Sequence, residues 1–299
     1  MAVAWVPAGT NARETKTLTR KVGTMPFSVN TNTGAAVALQ YLSQTEGALT
    51  KTQSAINSGF KVANARDDGA IYAIAQNQRG NVAGYTAVIN SINNATSAVD
   101  VALSAGQSIS DLLIQMKQKA LAAADSSLDT ASRQALNANF VALRDQITTI
   151  VNNATFNGFN LVNGSTSKIT ALASADGTRR ITTDAQNMKL SSTIMTVRGT
   201  NTISTQAKAS TLIATIQTSL SNVNSALAKL SAGAAKFSIQ GTFAQKLSDV
   251  MTAGIGNLVD ANMAKESALL QSLQVKQQLG VQALSIANQA PQTVLALFR

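Results

Sequence analysis

The chain has 299 residues, of which 45% are hydrophobic but only 4% aromatic, and it carries a formal net charge of +10 at pH 7. It contains no Cys and no His, which excludes disulfides, thiol nucleophiles, thiolate metal sites and imidazole acid–base chemistry. No dense Lys/Arg run indicates nucleic-acid binding, and no stretch approaches the roughly 18 apolar residues of a transmembrane helix.

The first 25 residues differ in pattern from the rest of the chain. The opening MAVAWVPAG is too short for the core of a signal peptide, and its charges come after it rather than before it. Met25 then opens MPFSVNTNTG, after which helical patterning begins. We expect residues 1–25 to be a leader that is either disordered or the product of an artefactual start.

The clearest helical pattern lies in the first half of the chain. Its apolar seam alternates steps of four and three residues: Val88, Ile92, Ala95, Val99, Ala102, Gly106, Ile109, Leu113, Met116, Ala120. This spacing predicts a coiled-coil helix roughly 50 Å long. The many Ala residues on the seam favour close contact between helices rather than a ligand cavity.

Two further seams predict central helices. The second is Leu136, Phe140, Leu143, Ile147, Ile150, and the third is Ile213, Ile216, Leu220, Val223, Leu227, Leu230, Ala234, Phe237. Between the first two seams, ADSSLDT at 124–130 supplies a turn with capping residues.

Weaker seams lie near both chain ends. They comprise Leu42, Leu49, Ile56 and Phe60 near the front, and Met263, Leu270, Leu273, Leu284 and Ala287 near the end. Gln53, Gln277 and Gly280 are read as interruptions. Helices of this kind are marginal alone, so we expect residues 29–60 to pair with residues 263–298.

The middle of the chain has a different pattern. Asn157-Gly158, Asn163-Gly164 and Asp176-Gly177 are turn dipeptides between β-branched runs, and they predict one or two small hairpins in residues 155–206. They are not phosphate-binding loops, and no dinucleotide motif is present.

These patterns predict a mostly α fold. It is an elongated antiparallel helical rod or coiled coil with paired N- and C-terminal helices and a small β-hairpin region. The expected domains are 26–67 with 261–299 (terminal helices), 68–154 with 207–260 (helical rod), and 155–206 (outer β region).

Two groups of charged residues allow alternative interpretations. In the sequence Arg66-Asp67-Asp68, the two aspartates could be paired carboxylates for acid–base or metal chemistry. A helix boundary capped by Asn64 or Asp67 is favoured instead. The middle region also has a basic excess, either a solvated surface or a site for an acidic polymer: Lys168, Arg179, Arg180, Lys189, Arg198, Lys208.

Several motifs, in order, resemble bacterial flagellin of the short alphaproteobacterial kind. They are Val29-Asn-Thr-Asn, then SAINSGFKVANARDDGAIYAIA, then FNGFNLVNG, and finally the closing QALSIANQAPQTVLALFR. The resemblance covers residues 26–299, with a loosely matched middle.

The resemblance implies a structural subunit, without enzymatic activity or cofactors, that is secreted and polymerises into the flagellar filament for motility. The implied partners are other copies of the chain, the flagellar export apparatus, an export chaperone and the filament cap. The assembly residues expected from the resemblance and the seams are Val29, Asn30, Asn32, Leu42, Leu49, Ile56, Arg66, Asp67, Asp68, Leu270, Leu273, Leu284, Gln289, Pro291, Leu295, Leu297, Arg299. Two alternatives remain open: a flagellin-like cell-surface receptor for an acidic polysaccharide, and a hook–filament junction protein.

Overall fold

The computed structural model describes residues 31–296, with side chains to residue 289. The leader, Val29 and Asn30 lie outside the described residues. The elements are α1 (Thr33–Ser58), α2 (Gly69–Ala123), α3 (Thr130–Asn153), β1 (Lys168–Leu172), β2 (Arg180–Asp184), α4 (Gln206–Val259) and α5 (Met263–Ala296). The mostly helical fold with a small antiparallel hairpin is thus confirmed. Two compact units result: a terminal unit of α1 and α5, and a central unit of residues Gly59–Ala261.

The central unit is built on the pairing of α2 with α4. Every residue of the first predicted seam is buried in α2. Gly106 packs directly against α4, since an added Cβ there would lie 2.6 Å from Leu227 Cδ2. The prediction was wrong in length, because α2 has 55 residues and is therefore roughly 80 Å long.

The chain reverses between α2 and α3 in a turn anchored by one arginine. The guanidinium of Arg133 donates to the carbonyl oxygens of Ala123 at 2.8 Å, Asp125 at 2.8 Å and Leu128 at 3.3 Å. The Asp129 carboxylate caps α3 by accepting from Ser132 N. The predicted turn and capping segment is confirmed, and it brings the apolar face of α3 against α2.

Helix α4 changes character along its length. Its first part carries the third predicted seam, with Ile216, Val223, Leu230 and Phe237 buried. Beyond Phe237 the helix continues for about six turns that the seam did not predict. The buried residues there are first small, at Ala244 and Ser248, and then large again, at Ile255 and Val259.

The β-hairpin is a single two-stranded antiparallel sheet. Ile169 is opposite Thr183 in the register, and Asp176-Gly177 turns between the strands with Gly177 at φ 70°. Asn157-Gly158 forms a separate tight turn closed by Phe156 and Phe159, whose backbone groups exchange two hydrogen bonds of 2.9 Å.

The segment between β2 and α4 completes the core of the central unit. Its apolar side chains Met188, Met195, Val197 and Ile203 are fully buried, although the sequence pattern assigned them no role. The hydroxyl of Ser219 on α4 accepts hydrogen bonds from the backbone N–H groups of Thr196 and Val197 and thereby holds this segment in place.

The terminal unit is an antiparallel helix pair. Its seam residues are Ala35, Ala38, Leu42, Thr45, Leu49, Thr52 and Ile56 on α1, and Glu266, Leu270, Leu273, Gln277, Gly280, Leu284 and Ala287 on α5. Reading Gln277 and Gly280 as interruptions was wrong, because both lie on the seam and Gly280 packs beside Leu42. Gln53 is exposed and lies off the seam. Phe60 was also misplaced, since it bridges Asp260 within the central unit.

Candidate assembly interface

The α1–α5 pair buries little of its own surface. Among its described side chains only Thr52, Ala55 and Leu273 are buried, and the other seam residues stay partly exposed. Two helices offer each other one face only, so the opposite faces remain in contact with solvent. The terminal unit therefore has far less core than the central unit.

The back of α5 carries large apolar side chains. Val275 is 54% exposed, Leu279 58% and Ile286 69%. At about 100° per residue these three positions lie on the helix face opposite the seam. On α1, Val37 and Tyr41 share one flank and are 49% and 65% exposed, and Leu39 on the other flank is 57% exposed. An exposed apolar stripe such as the back of α5 marks an interaction site.

The structure places nearly all of the expected assembly residues of α1 and α5 whose side chains are described inside the pair rather than on its outer faces. Leu42, Leu49, Ile56, Leu270, Leu273 and Leu284 all lie on the seam between α1 and α5. Asn32 joins the helices directly, because its Nδ2 donates to Ala287 O at 2.7 Å and its Oδ1 accepts from Ala35 N at 2.9 Å.

Gln289 is exposed, whereas the side chains of Pro291, Leu295, Leu297 and Arg299 lie outside the described residues. Sequence reasoning missed Val275, Leu279 and Ile286. Their spacing of four and seven residues is itself a helical stripe, which could have indicated a second apolar face on α5.

The carboxylates of Asp67 and Asp68 accept hydrogen bonds from backbone N–H groups. The Asp68 carboxylate caps α2 by accepting from Ala70 N and Ile71 N, both at 3.0 Å. The Asp67 carboxylate accepts from the N–H groups of residues 63 and 64. The prediction that Asn64 or Asp67 caps the helix was therefore wrong, because the N-cap of α2 is Asp68. Within residues 31–296, no group of three or more His, Cys, Asp or Glu residues could hold a metal ion.

The basic residues of the middle region do not line one common site. Lys168 and Arg180 line a groove of about 660 Å³ beside Phe156 and Phe159. Lys208 lines a different concavity, of about 410 Å³. Arg179, Lys189 and Arg198 are exposed and line neither of these.

The hairpin tip carries a stabilised negative charge. The Asp176 carboxylate accepts hydrogen bonds from the Ser174 hydroxyl, from Thr178 Oγ1 at 2.8 Å and from Thr178 N at 3.1 Å. These bonds, led by that from Ser174, lower the pKa of Asp176 from 3.8 to about 2. The turn is therefore held in place by an ionised carboxylate throughout the physiological pH range.

None of the helices in the described part of the chain is both long and apolar enough to span a lipid bilayer. The long helices of both units are amphipathic. Their apolar residues face other helices or, as on the back of α5, remain exposed on an outer face.

Comparison with known proteins gives the same family over most of the chain. Residues 29–167 match the family model for the bacterial flagellin N-terminal helical region, and residues 213–298 match that for the C-terminal helical region. Flagellin FljK of Caulobacter vibrioides is 50% identical over 272 residues, which cover 91% of this chain and 98% of that protein. A flagellin of Brucella melitensis is 33% identical, with 91% and 99% coverage. A crystal structure of Bacillus cereus flagellin is 24% identical, with a TM-score of 0.45 over 50% of this chain and 86% of that one.

Proposed function

The chain belongs to the bacterial flagellin family and is a structural subunit of the flagellar filament, and we propose that it polymerises through the outer faces of its α1–α5 pair. Family membership makes it an exported protein that self-associates. It does not favour the receptor for an acidic polysaccharide, for which the scattered basic residues also offer no common site.

The observation that carries the proposal is the apolar back of α5. Full burial of a Val, Leu or Ile side chain contributes about 1.5–3 kcal/mol. Val275, Leu279 and Ile286 each have more than half of that area still to bury. Covering all three would contribute roughly 3–5 kcal/mol per subunit, which is a substantial fraction of the energy of a specific contact.

The remaining expected partners follow from the same proposal. An exported subunit must pass through the flagellar export apparatus, be shielded by an export chaperone and be folded at the filament cap. The small core of the terminal unit supports terminal helices that become fully ordered only when neighbouring subunits cover them. We assign the chain no catalytic role.

The proposal is tested with a triple variant of the back of α5, Val275→Gln, Leu279→Gln and Ile286→Gln. The matched control shifts each change by one position, to the exposed polar residues of the same helix, as Gln274→Ser, Gln278→Ser and Ser285→Gln. Polymerisation is measured by sedimentation and by electron microscopy, and the helix content of the monomer by circular dichroism.

We expect the triple variant to remain a helical monomer and the control to form filaments. Truncation after residue 286, which removes residues 287–299 of the closing motif, should also leave a monomer that does not polymerise. Filaments of normal yield from the triple variant would refute the assignment of this face.

A further inference from the structure

Between residues 239 and 250, α4 has its large apolar side chains on its outer face, whereas at the end of the helix Ile255 and Val259 are buried. Ala244 and Ser248 are buried on the inner face, whereas Ile239 is 71% exposed and Val250 69%. Phe243, between them, is 55% exposed. Because burying large side chains contributes more than burying small ones, this inversion indicates that the outer face is covered by something else.

This outer face is a regular stripe with basic residues in it. Steps of three and four residues along the helix give the α4 stripe: Lys236, Ile239, Phe243, Lys246, Val250. All five side chains are exposed and lie within a narrow arc of the helix, opposite the inner face. The stripe therefore presents apolar groups and two positive charges together.

A second stripe with the same spacing lies on α2 and continues into the following turn. The α2 stripe comprises Asp111, Ile114, Gln118, Leu121 and Asp125, all of them exposed. Ile114 is 43% exposed and Leu121 63%. Acidic residues lie at both ends of the α2 stripe. The α4 stripe instead contains two lysines.

None of the charged residues of the two stripes forms a salt bridge in the described part of the chain, where the one ion pair is between Arg144 and Asp145. Asp125, at the end of the α2 stripe, does have a nearby opposite charge, from Arg133. The stripes are also far apart. Gly241 packs opposite Ile92, so the α4 stripe lies roughly 40 Å along α2 from Gln118.

We propose that the α4 stripe of one subunit docks on the α2 stripe of the next copy of this chain. The occupant is a second copy because the two stripes share the same spacing, both carry exposed apolar groups and bear opposite charges. Two different patches that meet head to tail form a heterologous contact, and such a contact propagates as an open assembly. The inference rests on the proposed function, since it presupposes that the chain polymerises, and it adds a contact within the central unit.

Charge reversal in two separate subunits tests this pairing. One variant carries Lys236→Glu and Lys246→Glu, and the other carries Asp111→Lys and Gln118→Lys. Each alone should raise the critical concentration for polymerisation about tenfold or more, because like charges then face each other. An equimolar mixture should return to near the wild-type value, because each altered stripe then meets a complementary one.

A control with the same change of charge outside the stripes, Lys189→Glu and Lys208→Glu, both at exposed positions, should polymerise like the wild type. Thermal melting of each monomer checks that folding is intact. Either reversed variant polymerising normally, or a mixture that gives no recovery from folded monomers, would overturn the proposal.

Cysteine cross-linking provides a second, independent measurement because the chain has no cysteine of its own. A chain with Leu121→Cys and Phe243→Cys, polymerised and then oxidised with diamide, should give a ladder of covalent oligomers. A control pair at Thr86 and Ser231 should give none. Filaments without the ladder would refute the stripe contact and leave the proposed function standing, whereas failure of the wild-type chain to form filaments would refute the proposed function itself.

Discussion

A glycine on α4 determines how closely the β-hairpin approaches the helices, and replacing it makes a sharp prediction. At Gly233 an added Cβ would lie 2.2 Å from Thr183 Cγ2, 2.7 Å from Oγ1 and 3.0 Å from Cβ. Thr183 is 6% exposed and is held in β2 opposite Ile169, so it has little room to move. We expect Gly233→Ala to force the hairpin away from α4.

The magnitude follows from two opposing effects. Overpacking of a dense core costs about 1–3 kcal/mol, and a contact of 2.2 Å belongs at the upper end. Alanine in place of glycine inside a helix contributes about 1 kcal/mol in the other direction. Gly233→Ala should therefore lower the free energy of unfolding by about 1–2 kcal/mol.

The matched control is Gly80→Ala in α2, where an added Cβ would have no atom within 4 Å. It should raise the free energy of unfolding by about 1 kcal/mol, because only helix propensity changes. Thermal unfolding followed by circular dichroism should show a shift of about 2–4 °C per kcal/mol, in opposite directions for the two variants.

A second-site change separates the steric effect from other causes. Thr183→Ala removes Cγ2 and also a buried hydroxyl that has no hydrogen-bond partner among the described atoms. Combined with Gly233→Ala, it should recover most of the lost stability, which a double-mutant cycle would register as coupling. The reasoning fails if Gly233→Ala is as stable as Gly80→Ala, or if the double variant shows no coupling.

Three further predictions concern the central unit. Asp68→Ala should lower its free energy of unfolding by about 1 kcal/mol, measured by urea denaturation, because two N–H groups of the first turn of α2 lose their acceptor. Phe140→Ala should cost about 3–5 kcal/mol because that ring is fully buried, whereas Phe159→Ala, at a side chain 48% exposed, should cost clearly less. The Asp176 carboxyl should titrate near pH 2 when followed by NMR. The stability that it contributes is fully present above its unfolded pKa of 3.8 and is lost as the pH falls through its folded pKa of about 2. Ser174→Ala should raise the pKa of Asp176, because the carboxylate then loses the hydrogen bond from the Ser174 hydroxyl.

The seams could be predicted from the sequence because a helix face is a local property. The alternation of four and three residues from Val88 to Ala120 identified the buried face of α2 without any tertiary information. The turn at Asp176-Gly177 was predictable for the same reason, since only a few residues decide the backbone there. Met188 and Met195 could not be found this way, because a core-filling loop has no period.

Other errors came from equating apolar with inward-facing. Between Phe237 and Val250, the residues that pack inside are Ala244 and Ser248, and Ile239, Phe243 and Val250 face outward. In the terminal unit, Gln277 and Gly280 sit on the seam because close contact between two helices accepts small and polar residues. A pattern based on hydrophobicity alone then misidentifies the buried face of the helix, and it is at such places that we propose contacts with other subunits.

The two ends of the central unit are hydrogen-bonded to each other, and this bears on the order in which the chain folds. Ala261 N donates to Gly59 O and Lys61 N donates to Val259 O, both at 2.8 Å. In an unfolded chain, α1 and α5 must close a loop of roughly 200 residues, and each halving of a loop saves about 0.6 kcal/mol of closure entropy. Once the central unit has folded, only a few residues separate each helix from this junction, a saving of roughly 3 kcal/mol. The central unit, which has by far the larger buried core, should therefore fold first and nucleate the pairing of the two chain ends.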